Sequence, residues 1–347
     1  MSLFTEEENF FGLDLGASSI KLVQLKQMHG KPSLLTYGDM ELPPNLLASD
    51  SPIDQDKLAQ MVKQLVEDAR VSTKNVVAAL PSNFAYAAVV PMPKLPHDEL
   101  ANAVRFQADK YIPMPIDQVK LDWAVLGPKQ GSEDSEVEVL LVAAPISLAN
   151  KYLNIMQKAG LELLALEINP IAQTRSLLPI DHEPLMILDF GSVATDMAIV
   201  TGQATRLIRS VNVGSRTMVR VLAQNLSLDE QQAEQFMQKF GLVHTKLEGQ
   251  VFAALKPAVD SIIGEITKSL NYFHESNPDV KVSKLIITGG TAALPGLPAY
   301  LANAIGVTVE IGNPWNNVSY PANLEAKLLP LSLSYSSALG LAMRGMV

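Results

Sequence analysis

One short pattern occurs twice in this chain, once near the start and once past the middle. The copies are Phe11–Lys21 and Met186–Asp196, and 175 residues separate Asp14 from Asp189. Each copy has an apolar run, then Asp-x-Gly, then small or hydroxylated residues, then a second strand-like run. One repeat at so long a spacing indicates two related domains rather than a solenoid.

The segments around both copies predict the same local structure. The first copy begins a three-stranded meander over Phe10–Leu15, Ile20–Lys26 and Ser33–Leu42, before a helix and a strand over Asp54–Arg70 and Val76–Leu80. The second begins a meander over Leu185–Phe190, Asp196–Thr201 and Thr205–Val213, and a later strand covers Lys284–Thr288. Strands that alternate with helices are typical of the α/β class.

Between the meanders, proline-rich Pro91–Pro96 marks a change in composition. Residues 91–167 predict an inserted αββαβ block with a helix over His97–Tyr111 and a second helix that Ser147 caps and that runs to about Ala159. Further along, Ser227-Leu228-Asp229-Glu230 predicts a capping box at the start of a helix. A long helix is predicted over Leu247–Glu275, broken or bent at Pro257.

The repeated turn suits phosphate binding. Glycine allows the backbone to approach an anion closely, and successive turn N–H groups form an anion-binding concavity. Ser18, Ser19 and Thr195 offer hydroxyl donors, and Lys21 offers a positive charge. Asp14 and Asp189 would repel phosphate unless a cation lay between, and Mg²⁺ held through its water molecules meets that need. We therefore expect a Mg-nucleotide between two domains.

A plainer interpretation exists for each element of that site. A single Asp-x-Gly is usually ordinary turn chemistry, and Gly289-Gly290 after a strand is ordinary loop chemistry. Two matched copies, with Thr288-Gly289-Gly290 at a strand end where α/β ligand sites gather, favour the nucleotide interpretation. Neither a Walker-type loop nor a Rossmann glycine motif follows the first strand, so other common nucleotide folds are disfavoured.

Composition limits the remaining classes of function. The chain has 347 residues, a net charge of −9 and no cysteine. The acidic balance disfavours non-specific nucleic-acid binding, and the lack of cysteine excludes disulfides and cysteine metal sites. The start of the chain lacks the features of a secretory signal, and no apolar run reaches the roughly 18 residues that span a bilayer. We expect a soluble intracellular protein.

With these motifs the chain resembles the actin-like ATPase superfamily, which includes actin, heat-shock chaperones, sugar kinases and FtsA. Within it, the chain is similar over nearly its whole length to the family of the type IV pilus assembly protein PilM. The segment Leu95–Pro115 resembles the start of the inserted subdomain, called 1C, that this family shares with FtsA. The resemblance implies a first domain (1A) over 1–90, 166–183 and 330–347, a 1C-type insert over 91–165, and a second domain (2A/2B) over 184–329.

The resemblance also implies ATP and Mg²⁺ as cofactors. The implied nucleotide-binding residues are Asp14, Gly16, Ala17, Ser18, Ser19 and Lys21 in the first motif, Asp189, Gly191, Thr195 and Asp196 in the second, and Gly214, Glu265, Lys268, Gly289 and Gly290 elsewhere. Asp14 and Asp189 are the implied Mg²⁺ residues. Glu167 or Asn169 would orient the attacking water, and we expect at most a weak ATPase.

The implied function is that of a cytoplasmic adaptor at the inner face of the inner membrane. Members of the family bind the cytoplasmic tail of the membrane protein PilN, and other pilus platform proteins and self-association are further expectations. Arg105, Phe106 and Tyr111 are candidate residues for the peptide, although packing of their helix onto its own sheet explains them equally well. Two alternatives stay open: a sugar-kinase-like phosphotransferase with Asp122 or Asp109 as its acid, and an FtsA-like filament-forming scaffold.

Overall fold

The computed structural model describes residues 9–27, 31–128, 135–179 and 181–346. Along the chain the strands and helices are β1 (Phe11–Leu15), β2 (Ser19–Lys26), β3 (Ser33–Glu41), α1 (Pro52–Asp68), β4 (Asn75–Leu80), β5 (Tyr86–Pro93), α2 (His97–Tyr111), β6 (Val119–Pro128), β7 (Glu136–Pro145), α3 (Ile146–Lys158), β8 (Glu162–Ile168), α4 (Asn169–Leu177), β9 (Leu185–Phe190), β10 (Thr195–Thr201), β11 (Ala204–Val211), α5 (Ser215–Leu226), α6 (Glu230–Phe240), α7 (Gln250–Ser276), β12 (Lys284–Thr288), α8 (Leu297–Ile305), β13 (Thr308–Ile311), α9 (Glu325–Leu328) and α10 (Ser336–Ala342).

The chain forms two compact units. Unit 1 contains Met1–Ala85, Ala144–Pro179 and Asn313–Val347, and unit 2 contains Tyr86–Ala143 and Ile180–Gly312. Their contents do not follow the three-part division implied by the family resemblance, because unit 2 contains both β5–β7 and the second meander. The boundaries of that three-part division stay a prediction.

Each unit has a five-stranded sheet of the same plan. In unit 1 the strand order is β3-β2-β1-β4-β8, and in unit 2 it is β11-β10-β9-β12-β13. In both sheets an antiparallel meander supplies three strands, and two further strands add in parallel next to the first strand of the meander. Both predicted meanders are therefore confirmed, and the sequence repeat corresponds to a repeated sheet.

Helices cover the sheet of unit 1. On one face, α10 packs against β1 and α4, and Ala172 and Leu341 join a buried cluster with Val77 and Ala79. Elsewhere in the unit, α1 packs against α3 and α3 packs against β8. β1 is the central strand of this sheet, and its Phe11 and Leu13 side chains are fully buried.

The third sheet, in unit 2, has the order β5-β7-β6 and is covered by α2. The predicted αββαβ block differs from this topology, because β5 was not predicted and β8 pairs with β4 in the sheet of unit 1. Pro91 and Pro93 lie within β5. Proline removes a backbone donor, and β5 accommodates it because it is an edge strand that pairs only with β7.

Three predicted helix features also need correction. Ser147 was predicted to cap a helix, but it lies inside α3, which begins at Ile146 after the N-cap residue Pro145. The capping box of α6 is formed by Asp229 and Gln232, while Ser227 has a φ of 54° and ends α5. Finally, α7 begins at Gln250 rather than Leu247 and continues through Pro257. No helix in the described ranges is long and apolar enough to cross a membrane.

Candidate functional site

In unit 1 the candidate site is the turn between β1 and β2. Asp14 is the penultimate residue of β1, is 9% exposed, and pairs across the strands with Lys21. Directly opposed residues of an antiparallel pair project to the same face, so a carboxylate and an ammonium share this end of the hairpin. The Lys21 Nζ also donates a hydrogen bond to Ser19 Oγ. Lys21 and Ser19 thus present a charge and a hydroxyl beside Asp14.

The turn itself is held by backbone hydrogen bonds. The N–H of Gly16 donates to the carbonyl of Ser19 at 3.0 Å, and the carbonyl of Ser18 accepts from Leu42 N–H at 2.8 Å. A Cβ at Gly16 would lie 2.9 Å from the Ser19 carbonyl oxygen, so the tight turn requires glycine. Ser18 is exposed and Ala17 is half-buried, which leaves this turn accessible to a ligand.

In unit 2 the equivalent turn joins β9 and β10, but the cross-strand pair is different. Asp189, the penultimate residue of β9, lies opposite Asp196, so this hairpin carries two carboxylates at one position. Gly191 N–H donates to the Ala194 carbonyl at 3.0 Å. The Thr195 hydroxyl donates to the Val213 carbonyl at 2.7 Å, so its proton is used within the protein and only its oxygen lone pairs face other partners.

Two glycines pack closely against the turn of unit 2. Gly289 has a φ of 86°, and a Cβ there would lie 2.4 Å from the Asp189 Oδ1. A Cβ at Gly214 would lie 2.7 Å from the carbonyl oxygens of Gly191 and Ser192. The fold therefore brings Asp189, Gly191, Gly214 and Gly289 together. The neighbouring Gly290 is exposed, and its Cβ position is open.

Glu265 and Lys268 lie on α7, where they form an ion pair with each other at 2.6 Å. Their spacing of three residues is the usual one for neighbours on a helix surface. The Lys268 side chain is well exposed and the Glu265 side chain is partly exposed. Their contribution to nucleotide binding stays a prediction.

The carboxylate of Glu167 is already engaged. One oxygen accepts a hydrogen bond from Arg175 Nη2 and the other from Arg344 Nη1. Arg175 also donates through Nε to the Gly340 carbonyl at 2.9 Å. Neither contact was predicted from the sequence, and Arg344, 177 residues from Glu167, shares no local pattern with it. Glu167 thus ties α4 and the end of α10 to β8.

Asn169 is placed differently. It is the first residue of α4, and its Oδ1 is buried with no hydrogen-bond partner among the described residues. An amide can orient a water molecule through that oxygen but cannot take up a proton at neutral pH. Of the two predicted water-orienting residues, Asn169 is the one that has an oxygen available.

Each of the two turns would offer a metal ion few protein ligands. Within the described ranges, no three aspartate, glutamate, histidine or cysteine side chains come together as a metal cluster. Asp14 lies near the end of β1 and faces Lys21, and Asp189 lies near the end of β9 and faces Asp196. Such a donor set fits Mg²⁺, which is usually held by one or two carboxylates while it keeps several water molecules.

The exposed face of α2 carries the candidate peptide-binding residues. Arg105 is exposed, Phe106 is 75% exposed and Tyr111 is 47% exposed. The helix packs onto its sheet through Leu100, Val104 and Ala108 instead. The alternative in which Arg105, Phe106 and Tyr111 pack against that sheet is therefore wrong. The Lys110 Nζ lies 5.9 Å from the Phe106 ring centre, and this contact leaves most of the ring open to solvent.

Comparison with known proteins decides the family. The model of the family "Type IV pilus assembly protein PilM" matches residues 12–346. This chain belongs to the PilM family. A solved structure of a PilM-PilN type IV pilus biogenesis complex is 28% identical and superposes with a TM-score of 0.84, covering 98% of this chain and 99% of that one. The predicted membership of this family is confirmed.

More distant relatives define the fold. The cell division protein FtsA of Streptococcus pneumoniae is 20% identical over 88% of this chain and 76% of its own length. MreB5 of Spiroplasma citri, solved with AMPPNP, is 12% identical with a TM-score of 0.57, covering 99% of this chain and 97% of that one. This PilM family member thus has the actin-like ATPase fold, as predicted from its motifs.

Proposed function

We propose that this PilM family member is an ATP-binding adaptor of type IV pilus assembly, recruited to the inner membrane by the cytoplasmic tail of a PilN-like protein. The observation that carries the nucleotide part is the repeat itself. Two sheets of the same strand order each end their first meander strand in an aspartate followed by a glycine turn. The fold places chemically equivalent turns at equivalent positions of the two units.

Each turn would bind phosphate through backbone N–H groups, with Ser18, Ser19 and Lys21 adding donors in unit 1. Mg²⁺ would supply the positive charge that allows Asp14 and Asp189 to lie near a polyphosphate. The glycines around Asp189 keep that turn free of side chains, which suits close approach of a ligand to the backbone. These roles account for the residue types that the two turns share.

We expect ATP turnover to be weak. Hydrolysis needs a residue that orients or deprotonates the attacking water. Glu167 is neutralised by two guanidinium groups, and the Asn169 amide lacks a basic group. The site is therefore better suited to holding ATP than to cleaving it, which fits an adaptor whose nucleotide reports a state to a partner.

The partner surface is the exposed face of α2. Phe106 and Tyr111 offer apolar area, and Arg105 and Lys110 offer donors beside it. This chain resembles a structure solved as a PilM-PilN complex in both fold and sequence, and that resemblance supports a PilN-like partner. Since no described helix is suited to cross a membrane, recruitment through a membrane protein would place this chain at the inner face of the inner membrane.

The nucleotide proposal is tested by calorimetry with Mg-AMPPNP. We expect Asp14→Ala and Asp189→Ala to lower the affinity at least about tenfold, since each removes a carboxylate that holds the hydrated cation. Asp109→Ala is the matched control, because Asp109 is an exposed aspartate on α2. Unchanged affinity in both hairpin variants would overturn the assignment, and circular dichroism establishes that each variant is folded.

The partner proposal is tested by hydrogen exchange with a synthetic PilN-like tail peptide. We expect protection within residues 95–115, and loss of peptide binding in Phe106→Ala. Tyr272→Ala is the control, because Tyr272 on α7 is a similarly exposed aromatic residue at 56% exposure. Protection confined to other segments would refute α2 as the peptide-binding surface.

A further inference from the structure

Four buried polar atoms of unit 1 have no hydrogen-bond partner among the described residues. They are the Tyr152 hydroxyl, the Ser82 Oγ, the Asn169 Oδ1 and the Trp315 Nε1. Tyr152 is 1% exposed and Ser82 is 6% exposed. Native proteins rarely bury polar groups without a partner, and such groups commonly bind an ordered water or an ion. Each of these atoms therefore indicates a bound polar species.

The register of the sheet shows that Ser82 and Asn169 belong to the same edge as Asp14. Leu13 pairs with Ala78, and Leu80 pairs with Ile168, so β1, β4 and β8 end together. Asp14 lies at the end of β1, Ser82 follows β4 by two residues, and Asn169 directly follows β8. The carboxyl ends of parallel strands are where ligands bind in open α/β sheets.

Tyr152 is a buried residue of α3, and α3 packs against β8, the strand that Asn169 follows. Burial is the larger cause of the raised pKa of Tyr152, and the negative charge of Asp14 raises that pKa further. A tyrosine hydroxyl can both donate and accept a hydrogen bond, so it is able to bind a water molecule. Its acceptor is not a described side chain or backbone group, so a water molecule is the simplest acceptor that fits.

We propose that Tyr152 and Ser82 are positioning residues of the first hairpin, whose hydroxyls bind ordered water molecules shared with the Asp14 carboxylate. When Mg-ATP is bound, those water molecules belong to the hydration shell of the cation. This inference rests on the proposed function and deepens it, since it assigns residues that hold the water of Mg²⁺ rather than the metal itself. Groups beyond the direct ligands commonly set the affinity of a metal site.

The test compares AMPPNP affinity in Mg²⁺ with that in EDTA, for the wild type, Tyr152→Phe and Ser82→Ala. Each variant removes only an oxygen. We expect the gain in affinity that Mg²⁺ produces to fall about fivefold in each variant, as for loss of one hydrogen bond, with affinity in EDTA unchanged. The nucleotide-free variants should unfold at the wild-type temperature or above, because an unpaired hydroxyl contributes no internal hydrogen bond.

Tyr335→Phe is the matched control in the same unit. Its buried hydroxyl donates to Asp39 Oδ1 at 2.8 Å, so this variant should lose stability while it keeps the wild-type response to Mg²⁺. If the wild type responds to Mg²⁺ and both oxygen-deletion variants match it, the inference is overturned and the proposed function stands. If the wild type shows no Mg²⁺-dependent binding, the proposed function fails and the inference fails with it.

Discussion

The two repeated hairpins are equivalent in topology but not in their surroundings. Asp14 lies opposite Lys21, whereas Asp189 lies opposite Asp196. The first hairpin therefore balances its carboxylate with a cation of its own, while the second places two carboxylates on one cross-strand pair. Like charges directly opposite each other are unfavourable, so the cross-strand pair of the second hairpin is the less favourable of the two.

Glycine is also used differently in the two units. Gly12 on β1 lies against α10, where a Cβ would be 2.3 Å from the Ala338 carbonyl oxygen. The equivalent position on β9 is the buried Ile187. In unit 2 the crowded glycines, Gly214 and Gly289, instead surround the turn. Close packing by glycine thus supports the fold in unit 1 and shapes the candidate site in unit 2.

The largest expected effect is on stability, and it tests the close packing of glycine in unit 1. A Cβ at Gly340 would lie 1.8 Å from the Ala172 carbonyl oxygen, so Gly340→Ala forces α10 away from α4. We expect it to lower the free energy of unfolding by at least about 3 kcal/mol in urea denaturation. Gly264→Ala is the control, because its Cβ position within α7 is open and alanine favours a helix. Equal stability of the two variants would contradict the packing role.

The next effect concerns the ion pairs of unit 1. Glu167→Gln leaves Arg175 and Arg344 without their shared counter-charge, and we expect a loss of about 2–3 kcal/mol in the free energy of unfolding. Glu138→Gln in unit 2 is the matched variant, since Glu138 has one partner, Arg206, and similar burial. Urea denaturation should show the smaller loss there. If Glu138→Gln lowers the free energy of unfolding as much as Glu167→Gln does, the second arginine at Glu167 adds no stability.

A smaller effect, on nucleotide affinity, tests the role of the glycines in unit 2. Gly289→Ala places a methyl group against Asp189 and strains a backbone with a φ of 86°. We expect calorimetry to show roughly a tenfold loss of Mg-AMPPNP affinity, which corresponds to about 1.4 kcal/mol. If the variant loses stability but binds nucleotide as the wild type does, the glycines of unit 2 serve the fold as those of unit 1 do.

The smallest effect is a dependence on alkaline pH that comes mainly from unit 1. Burial raises the pKa of Tyr152 and Tyr335 well above the ordinary 10.0, and the hydrogen bond to Asp39 adds to the effect at Tyr335. Above pH 10 the unfolded chain releases protons that the folded chain keeps, so stability is complete below pH 10 and falls as the pH rises. The slope is about 1.4 kcal/mol per pH unit for each tyrosine.

Urea denaturation at pH 9, 10 and 11 checks this dependence. Tyr335→Phe should remove one tyrosine's share of the slope while it lowers stability at pH 9 by about 1 kcal/mol through the lost hydrogen bond. The shifted tyrosine of unit 2, Tyr300, is only half-buried, so Tyr300→Phe should change the slope less. The same slope in the wild type and Tyr335→Phe would contradict the assignment.

Sequence reasoning succeeded where a short segment determines its own structure. The Asp-x-Gly turns, both meanders and the helix α2 follow from local periodicity and turn chemistry, and the structure has them. It failed where pairing overrides local preference. Pro91 and Pro93 indicated a break, yet an edge position allows them in β5. The capping box of α6 was also placed wrongly. It was predicted to begin at Ser227, but Asp229 and Gln232 form it, two residues further along the chain.

The site shows the same division. The positions of the aspartates and glycines in both turns could be predicted, because they recur in one local pattern. The pairing of Glu167 with two arginines could not be predicted, since one of them, Arg344, is far away along the chain. Nor could the unpaired hydroxyls of Ser82 and Tyr152, because only the final packing shows which buried groups lack a partner.

By itself, then, the sequence determined a duplicated α/β chain with two similar acidic glycine turns, because strand period and turn residues are local properties. Tertiary structure alone decided which cation or carboxylate faces each aspartate, which glycines pack against a helix or a turn, and which charges are already paired. Those outcomes depend on strand register and on contacts between residues far apart in sequence, and no local pattern specifies them.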